Sequence, residues 1–332
     1  ALNPATAQVT PDGTTNTTVD AEGNNITINN GDRAGNNLFH SFQDFSVPDG
    51  GSALFNNEQV IENIFSRVTG GNISNINGLL GANGSANLFL VNPAGIIFGE
   101  NASLSVGGSF YGTSANSILF EDGQFSATDL NNPPLLTINA PIGLGFRDNP
   151  GDIINRSTSS NDLALTVNAG ESISLIGGNV SFNGGQILAS GARVNLGGLT
   201  AIGTIELDDN GGFSFPDNVA RGNVSLTNSS RIFVSDDGGG SVKIDAKNFE
   251  LASDSFIAGG IASNVGTPNA QAGDIIVNAT EDVVIDATES NSLTTINNSN
   301  FGVGNAGNIE INARNILFVN GGAITSFSNG LG

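Results

Sequence analysis

Ser172-Ile-Ser-Leu-Ile-Gly-Gly-Asn-Val-Ser-Phe-Asn-Gly-Gly-Gln-Ile-Leu-Ala-Ser-Gly-Ala-Arg-Val-Asn-Leu196 repeats every seven residues. Ile173, Val180, Ile187 and Val194 fall on the beat, and each opens a short alternation: Ile173/Leu175, Val180/Phe182, Ile187/Ala189 and Val194/Leu196. Gly177-Gly178, Gly184-Gly185 and Gly191 separate the segments. A period of seven also belongs to coiled coils, but a glycine in each repeat costs a helix about 1 kcal/mol. The alternation inside each segment has the period of two that marks strands. Strands this short, joined by glycine corners, do not make a hairpin at every junction; they wind as successive sides of a coil. Three segments make one coil of about 21 residues and set Ile173 beneath Val194, one rung of roughly 4.8 Å away. Ile173, Val180, Ile187 and Val194 are then the expected core ladder, with corner Asn and Ser side chains stacking along the axis. The expected fold is all-β, a right-handed parallel β-helix.

The carboxy-terminal third repeats more slowly. Ser241-Val-Lys-Ile-Asp-Ala246, Asp274-Ile-Ile-Val-Asn-Ala279 and Asn308-Ile-Glu-Ile-Asn-Ala313 are spaced 33 and 34 residues apart. Second apolar strands follow at Phe249–Leu251, Val283–Ile285 and Ile316–Val319, and third ones at Ile257–Ile261 and Ala323–Thr325. Loops at Asn264–Gln271 and Ser299–Asn305 are expected to absorb the extra length. Repeats of this size mean a solenoid. Because the text stops inside a repeat at Gly332, a longer parent protein is expected. The region up to about Phe146 is less regular and richer in Phe, and reads as an irregular amino-terminal cap. Ala5-Thr6-Ala7 before Gln8 has the small-residue pattern of a signal-peptidase site, so residues 1–7 read as a remnant of that cleavage region.

Composition narrows the function. The formal charge is −21, from 31 acidic and 10 basic residues, with no basic stretch. That excludes a phosphate-backbone partner and an anionic membrane surface. No run of about 18 apolar residues spans a membrane. Cys is absent, which removes disulfides and thiolate chemistry.

Several stretches resemble a known family. Gly31-Asp-Arg-Ala-Gly-Asn-Asn-Leu-Phe-His-Ser-Phe-Gln-Asp-Phe-Ser-Val-Pro48 resembles the start of the filamentous-haemagglutinin-type secretion domain, in a version common in cyanobacterial exoproteins. Asn63–Asn72, Leu88-Phe-Leu-Val-Asn-Pro-Ala-Gly-Ile-Ile-Phe-Gly99, Gly107–Phe110, Ala140–Phe146, Gly178–Ser181 and Gly197–Leu199 extend the resemblance to about residue 200. It implies a secretion and folding module of a large bacterial two-partner-secretion exoprotein. Such a module is recognised, unfolded, by the POTRA domains of an outer-membrane transporter, and folds outside the cell. Residues 8–200 would be the secretion domain with its cap, and 201–332 a continuing helix of passenger-type repeats. The family's Asn-Pro-Asn-Gly-Ile motif reads here Asn92-Pro93-Ala94-Gly95-Ile96, with Ala94 in the third place; its other tetrapeptide, Asn-Pro-Asn-Leu, has no counterpart.

Asn92-Pro93-Ala94-Gly95 has turn composition, Pro setting φ and Gly supplying a left-handed position; it is read as a cap corner and, compatibly, as a transporter contact. His40 is the only histidine and Tyr111 the only tyrosine, so both are expected in packing roles rather than in a triad or metal site. Asp208-Asp209, Asp236-Asp237 and Glu121-Asp122 offer oxygen ligands for weak calcium binding, against solvated loop charges; no cofactor is expected. Arg33, Arg67, Arg147, Arg156, Arg193, Arg221 and Arg231 occur singly, without carboxylate clusters at repeat spacing, so no enzyme is expected. Two alternatives remain: an adhesin or matrix module binding a cell-surface or glycan target through flat, polar helix sides, and a polysaccharide-degrading β-helix.

Overall fold

In the computed structural model, residues 9–131, 135–158, 164–208, 210–288 and 293–328 are described. Ala5–Ala7 and Asp209 lie outside them. Three faces of parallel strands wind about one axis. The first is the long sheet, in which Asn37–Phe45, Asn63–Val68, Asn87–Val91, Phe110–Thr113, Ser172–Gly177, Arg193–Gly198, Ser241–Ala246, Ile275–Ala279 and Ile309–Asn312 pair in that order. The second runs from Ser74–Ile76 to Asn315–Val319. The third is in two parts, one ending at Ser103–Ser105 and the other beginning at Gln186–Leu188.

The seven-residue rhythm is one trip around these faces. Ile173 pairs with Val194 in the long sheet, Val180 with Val224 in the second, and Ile187 with Ile232 in the third. All four ladder residues are buried, within one apolar core that runs from Val9 to Ile296. Such burial contributes roughly 1.5–3 kcal/mol per large aliphatic side chain.

At the corners, side-chain amides stack along the axis. Asn56 Nδ2 donates to Asn29 Oδ1 at 2.8 Å, and Asn83 Nδ2 to Asn56 Oδ1 at 3.1 Å. Asn63 bonds Asn37 and Asn87 bonds Asn63 in the same way, at 3.0 and 2.9 Å. These bonds tie each rung to the next in register.

The cap is shorter than the irregular sequence region. It is confined to the hairpin Thr17–Glu22/Asn25–Asn30 and to Val9–Pro11 and Asp32–Ala34, which pair antiparallel with Asn37–Phe45. From Asn37 the coils are regular in space, but successive amides are offset by 26, 24 and then 22 residues. A shrinking coil has no constant period, so the regularity is hidden in the sequence.

The remaining irregular stretch leaves the helix. Residues 114–152 and 199–223 are both inserted where the chain turns from the long sheet to the second one. Together they build an antiparallel outer sheet, in the order Gly123–Ser126, Ser117–Phe120, Gly143–Phe146, Gly203–Leu207, Phe213–Ser214. The two insertions join through Gly143–Glu206 and Leu144–Ile205.

The outer sheet covers an outward row of the long sheet, Phe39, Phe65, Phe89 and Tyr111, which are register partners and form a second buried core with Ile118, Phe120, Phe125, Leu144 and Ile205. The helix side here is therefore apolar and covered rather than flat and polar. The expected loops also differ. Gly266–Gln271 and Val303–Asn305 are strands that pair in parallel, because the 33-to-34-residue repeat places the same excursion at the same corner of successive coils.

Candidate functional site

The Asn92 turn joins Asn87–Val91 of the long sheet to Ile96–Phe98 of the second. Asn92 is fully buried. Its Nδ2 donates to the Asn72 carbonyl at 2.9 Å and to Ser74 Oγ at 2.8 Å, while its Oδ1 accepts from the Ala94 amide at 3.0 Å. Its own carbonyl accepts from Gly95 N–H at 2.9 Å, and the Pro93 carbonyl accepts from Gly151 N–H at 2.9 Å.

This is an Asx-capped turn closed against the next coil. Gly95 has φ 112°, and a Cβ there would lie 2.6 Å from the Asp152 carbonyl oxygen, so only glycine fits. Ala94 is half-buried beneath Gly151, and Ile96 points into the core. The corner thus takes up the Asn92 side chain and the Asn92, Pro93 and Gly95 carbonyls.

A second constellation escaped the sequence reading. Arg67 is 1% exposed. It donates to Ser41 Oγ at 2.8 Å, to Thr14 Oγ1 at 2.9 Å and to the Ser126 carbonyl, and its guanidinium lies 4.6 Å from the centre of the Phe125 ring. Cap, first coils and outer sheet meet on this one side chain. Burial lowers the Arg67 pKa, and the charge of Asp12 opposes that shift.

Asp12 accepts from Ser41 Oγ at 2.6 Å and from Thr69 Oγ1 at 2.9 Å. Burial alone would raise its pKa, but the bonds from Ser41, Thr14 and Thr69 together hold it below the usual carboxylate value. The available signal was an arginine inside the otherwise uncharged strand Asn63–Val68.

His40 faces the helix interior, with Nδ1 3.0 Å from Thr17 Oγ1 and its ring edge-on to Phe55 at 5.1 Å. Burial pushes its pKa down to about 3, so it sits neutral. Tyr111 stacks on Phe89 at 4.2 Å, and burial raises its pKa.

Asp208 caps its own turn, accepting from the amides of Asn210 at 2.8 Å and Gly212 at 2.9 Å. Asp122 is fully exposed, and its carboxyl is held low chiefly by a hydrogen bond from Thr137. Among the described residues, no three His, Cys, Asp or Glu side chains converge as a metal site would require. Arg33 pairs with Glu58 at 2.9 Å on the surface, where such pairs contribute little. Arg221 pairs with buried Asp245 at 3.2 Å; burial raises the Asp245 pKa against the opposing pull of Lys243 and Arg221.

The model of the TPS (two-partner secretion) secretion domain matches residues 7–244. The chain belongs to that family. The crystal structure of the HMW1 secretion domain from Haemophilus influenzae superposes with a TM-score of 0.53 at 17% identity, covering 93% of this chain and 98% of the other. The filamentous hemagglutinin secretion domain aligns at 16% identity over 97% and 99%, with a TM-score of 0.46. A search of curated proteins matches none.

As a TPS domain, the chain is the secretion module of a two-partner-secretion exoprotein. Its partner is an outer-membrane transporter, through which it reaches the cell surface or the medium. Among the described residues, no helix is long and apolar enough to cross a membrane.

Proposed function

We propose that the transporter's POTRA domains read this TPS domain while it is extended, and that the helix closes only after passage. The supporting observation is the Asn92 turn. Folded, Asn92 is fully buried and its side-chain amide is taken up by Asn72, Ser74 and Ala94, so a partner reading that side chain would meet it before the corner forms. Ala94 in the third place suits the partner specificity of the cyanobacterial-like branch. Residues 8–200 carry export; residues 201–332, built on the longer repeat, carry display of a surface that binds a cell-surface or glycan target. Loop carboxylates such as Asp236 and Asp237 bind calcium weakly at most.

We infer a secretory rather than an enzymatic role. Arg33 and Arg221 are committed to Glu58 and Asp245, and Arg67 to hydroxyls and a carbonyl, so none of these three stands beside a free acid pair of the kind that glycan cleavage uses.

Residues 8–250 fused to an inert reporter are expected to reach the medium only with the partner transporter. Asn92→Ala is the sharper probe. If the motif is read in the extended chain, this variant loses binding to isolated POTRA domains when presented unfolded. Unchanged binding together with a lowered melting temperature would reduce the motif to a corner.

A further inference from the structure

Arg67 stands in a second outward row of the long sheet, in which Ser41, Arg67, Val91 and Thr113 are register partners and all four are buried. Among the described residues, no carboxylate lies within ion-pairing distance of its guanidinium. Asp12 reaches it through two hydroxyls. Thr14 Oγ1 accepts from Arg67 and donates to Asp12 Oδ1 at 2.7 Å, and Ser41 Oγ accepts from Arg67 and donates to Asp12 Oδ2 at 2.6 Å. The Thr14 amide donates to the same Asp12 Oδ1 at 2.9 Å. These bonds seat the turn between Val9–Pro11 and Thr17–Glu22.

From the opposite side the Phe125 ring covers the guanidinium, and the Ser126 carbonyl accepts from it. Both residues belong to the edge strand of the outer sheet, which Ser117–Phe120 holds. An arginine stays charged when buried, and a buried charge that loses partners is strongly destabilising. Withdrawing Phe125 and Ser126 lets water reach the guanidinium, which then exchanges Thr14 for solvent. Such a coupling is reciprocal.

We propose that Arg67 is a latch: the turn Asp12–Thr14 closes the amino-terminal cap only when the outer sheet is seated over the guanidinium, and the two open together. Its partners are Thr14, Ser41, Phe125 and Ser126, so no stretch of chain shorter than residues 14–126 completes the cap. The coils gain a finished end only after the first insertion is in place. The inference goes beyond the export reading and does not depend on how the transporter meets the chain.

Native-state hydrogen exchange on the full chain tests it. Phe125→Ala is expected to speed exchange in residues 9–16 about tenfold, and Thr14→Val to speed exchange in residues 117–126 by a similar factor. Phe125→Leu, which keeps the outer core filled, gives the same comparison if alanine opens the sheet altogether. In an Arg67→Met background, or Arg67→Gln should methionine not fold, the same substitutions are expected to leave the opposite segment within about twofold. Unchanged exchange in 9–16 with the Phe125 variants, or in 117–126 with Thr14→Val, would overturn the latch. So would equal effects with and without Arg67, since the route would then be the apolar contact of Phe125 with Phe39 at 5.1 Å.

Discussion

Phe65→Ala separates the outer sheet from the coil beneath it. The Phe65 side chain is fully buried, and its ring centre lies 5.1 Å from Phe39, 5.0 Å from Phe89 and 5.2 Å from Phe120, the last nearly perpendicular at 89°. Removing a buried Phe costs about 3–5 kcal/mol, cavity included. The backbone of Asn63–Val68 keeps its ladder to both neighbours, so the loss falls on the docking of the outer sheet rather than on the coil. A loss of about 4 kcal/mol raises the open population of that sheet about a thousandfold.

Native-state hydrogen exchange read by peptide mass spectrometry reports it. Residues 117–126, 143–146 and 203–207 should exchange faster, while Ile96–Phe98 and Val180–Asn183 keep their protection. Ile64→Ala, one residue earlier and pointing inward, costs a comparable 2–5 kcal/mol but should expose the coils on either side. Equal acceleration everywhere in Phe65→Ala, or none in 117–146, would refute the idea that the outer sheet opens as its own unit.

Three further outcomes follow from the same geometry. Arg67→Lys keeps the charge but loses the planar fork that reaches Ser41, Thr14 and Ser126; chemical denaturation should show a loss of about 1–3 kcal/mol. His40 has a folded pKa of about 3 against 6.5 when free, so only the unfolded chain takes up its proton between those values. Its contribution is intact above pH 6.5 and is lost as pH falls toward 3, about 3 kcal/mol by pH 4.5; His40→Gln should flatten that acid limb in melts across pH. Asn56→Ala breaks the stack between Asn29 and Asn83 and should cost about 1 kcal/mol in denaturant titration.

The inward ladder was legible because Ile173/Leu175 and its successors alternate with residues that face out, and a period of two can be seen in text. The outer sheet was not. Its floor is written as unbroken apolar pairs, Leu38-Phe39, Ile64-Phe65 and Leu88-Phe89, where one residue points into the coil and the next points out. Runs of that kind mean burial on both faces, and read that way they announce a cover on the long sheet. What they do not carry is which residues provide the cover, since Ser117–Phe120 and Gly203–Leu207 are far apart in sequence and meet only through Gly143–Phe146.

The Asn92 corner was legible as a turn from its composition. Its burial was not, because it depends on Ser74 from the previous coil and Gly151 from the next. Arg67 was hidden for a similar reason: its acceptors come from the cap, the first coil and an insertion, 53, 26 and 59 residues away.

The junction of the two insertions bears on how the molecule responds to tension. A stack whose coils touch only their neighbours peels one rung at a time. Pulled from its carboxy-terminal side, this one is expected to release Ile309–Asn312, then Ile275–Ala279, then Ser241–Ala246, rung by rung. At Arg193–Gly198 the peel stops, because Gly203–Leu207 is held antiparallel to Gly143–Phe146, from the insertion that follows Phe110–Thr113. That clamp straddles the rung Ser172–Gly177, and it must shear before any strand nearer the cap can unwind. The solenoid therefore behaves as a soft spring in series with a rigid grip.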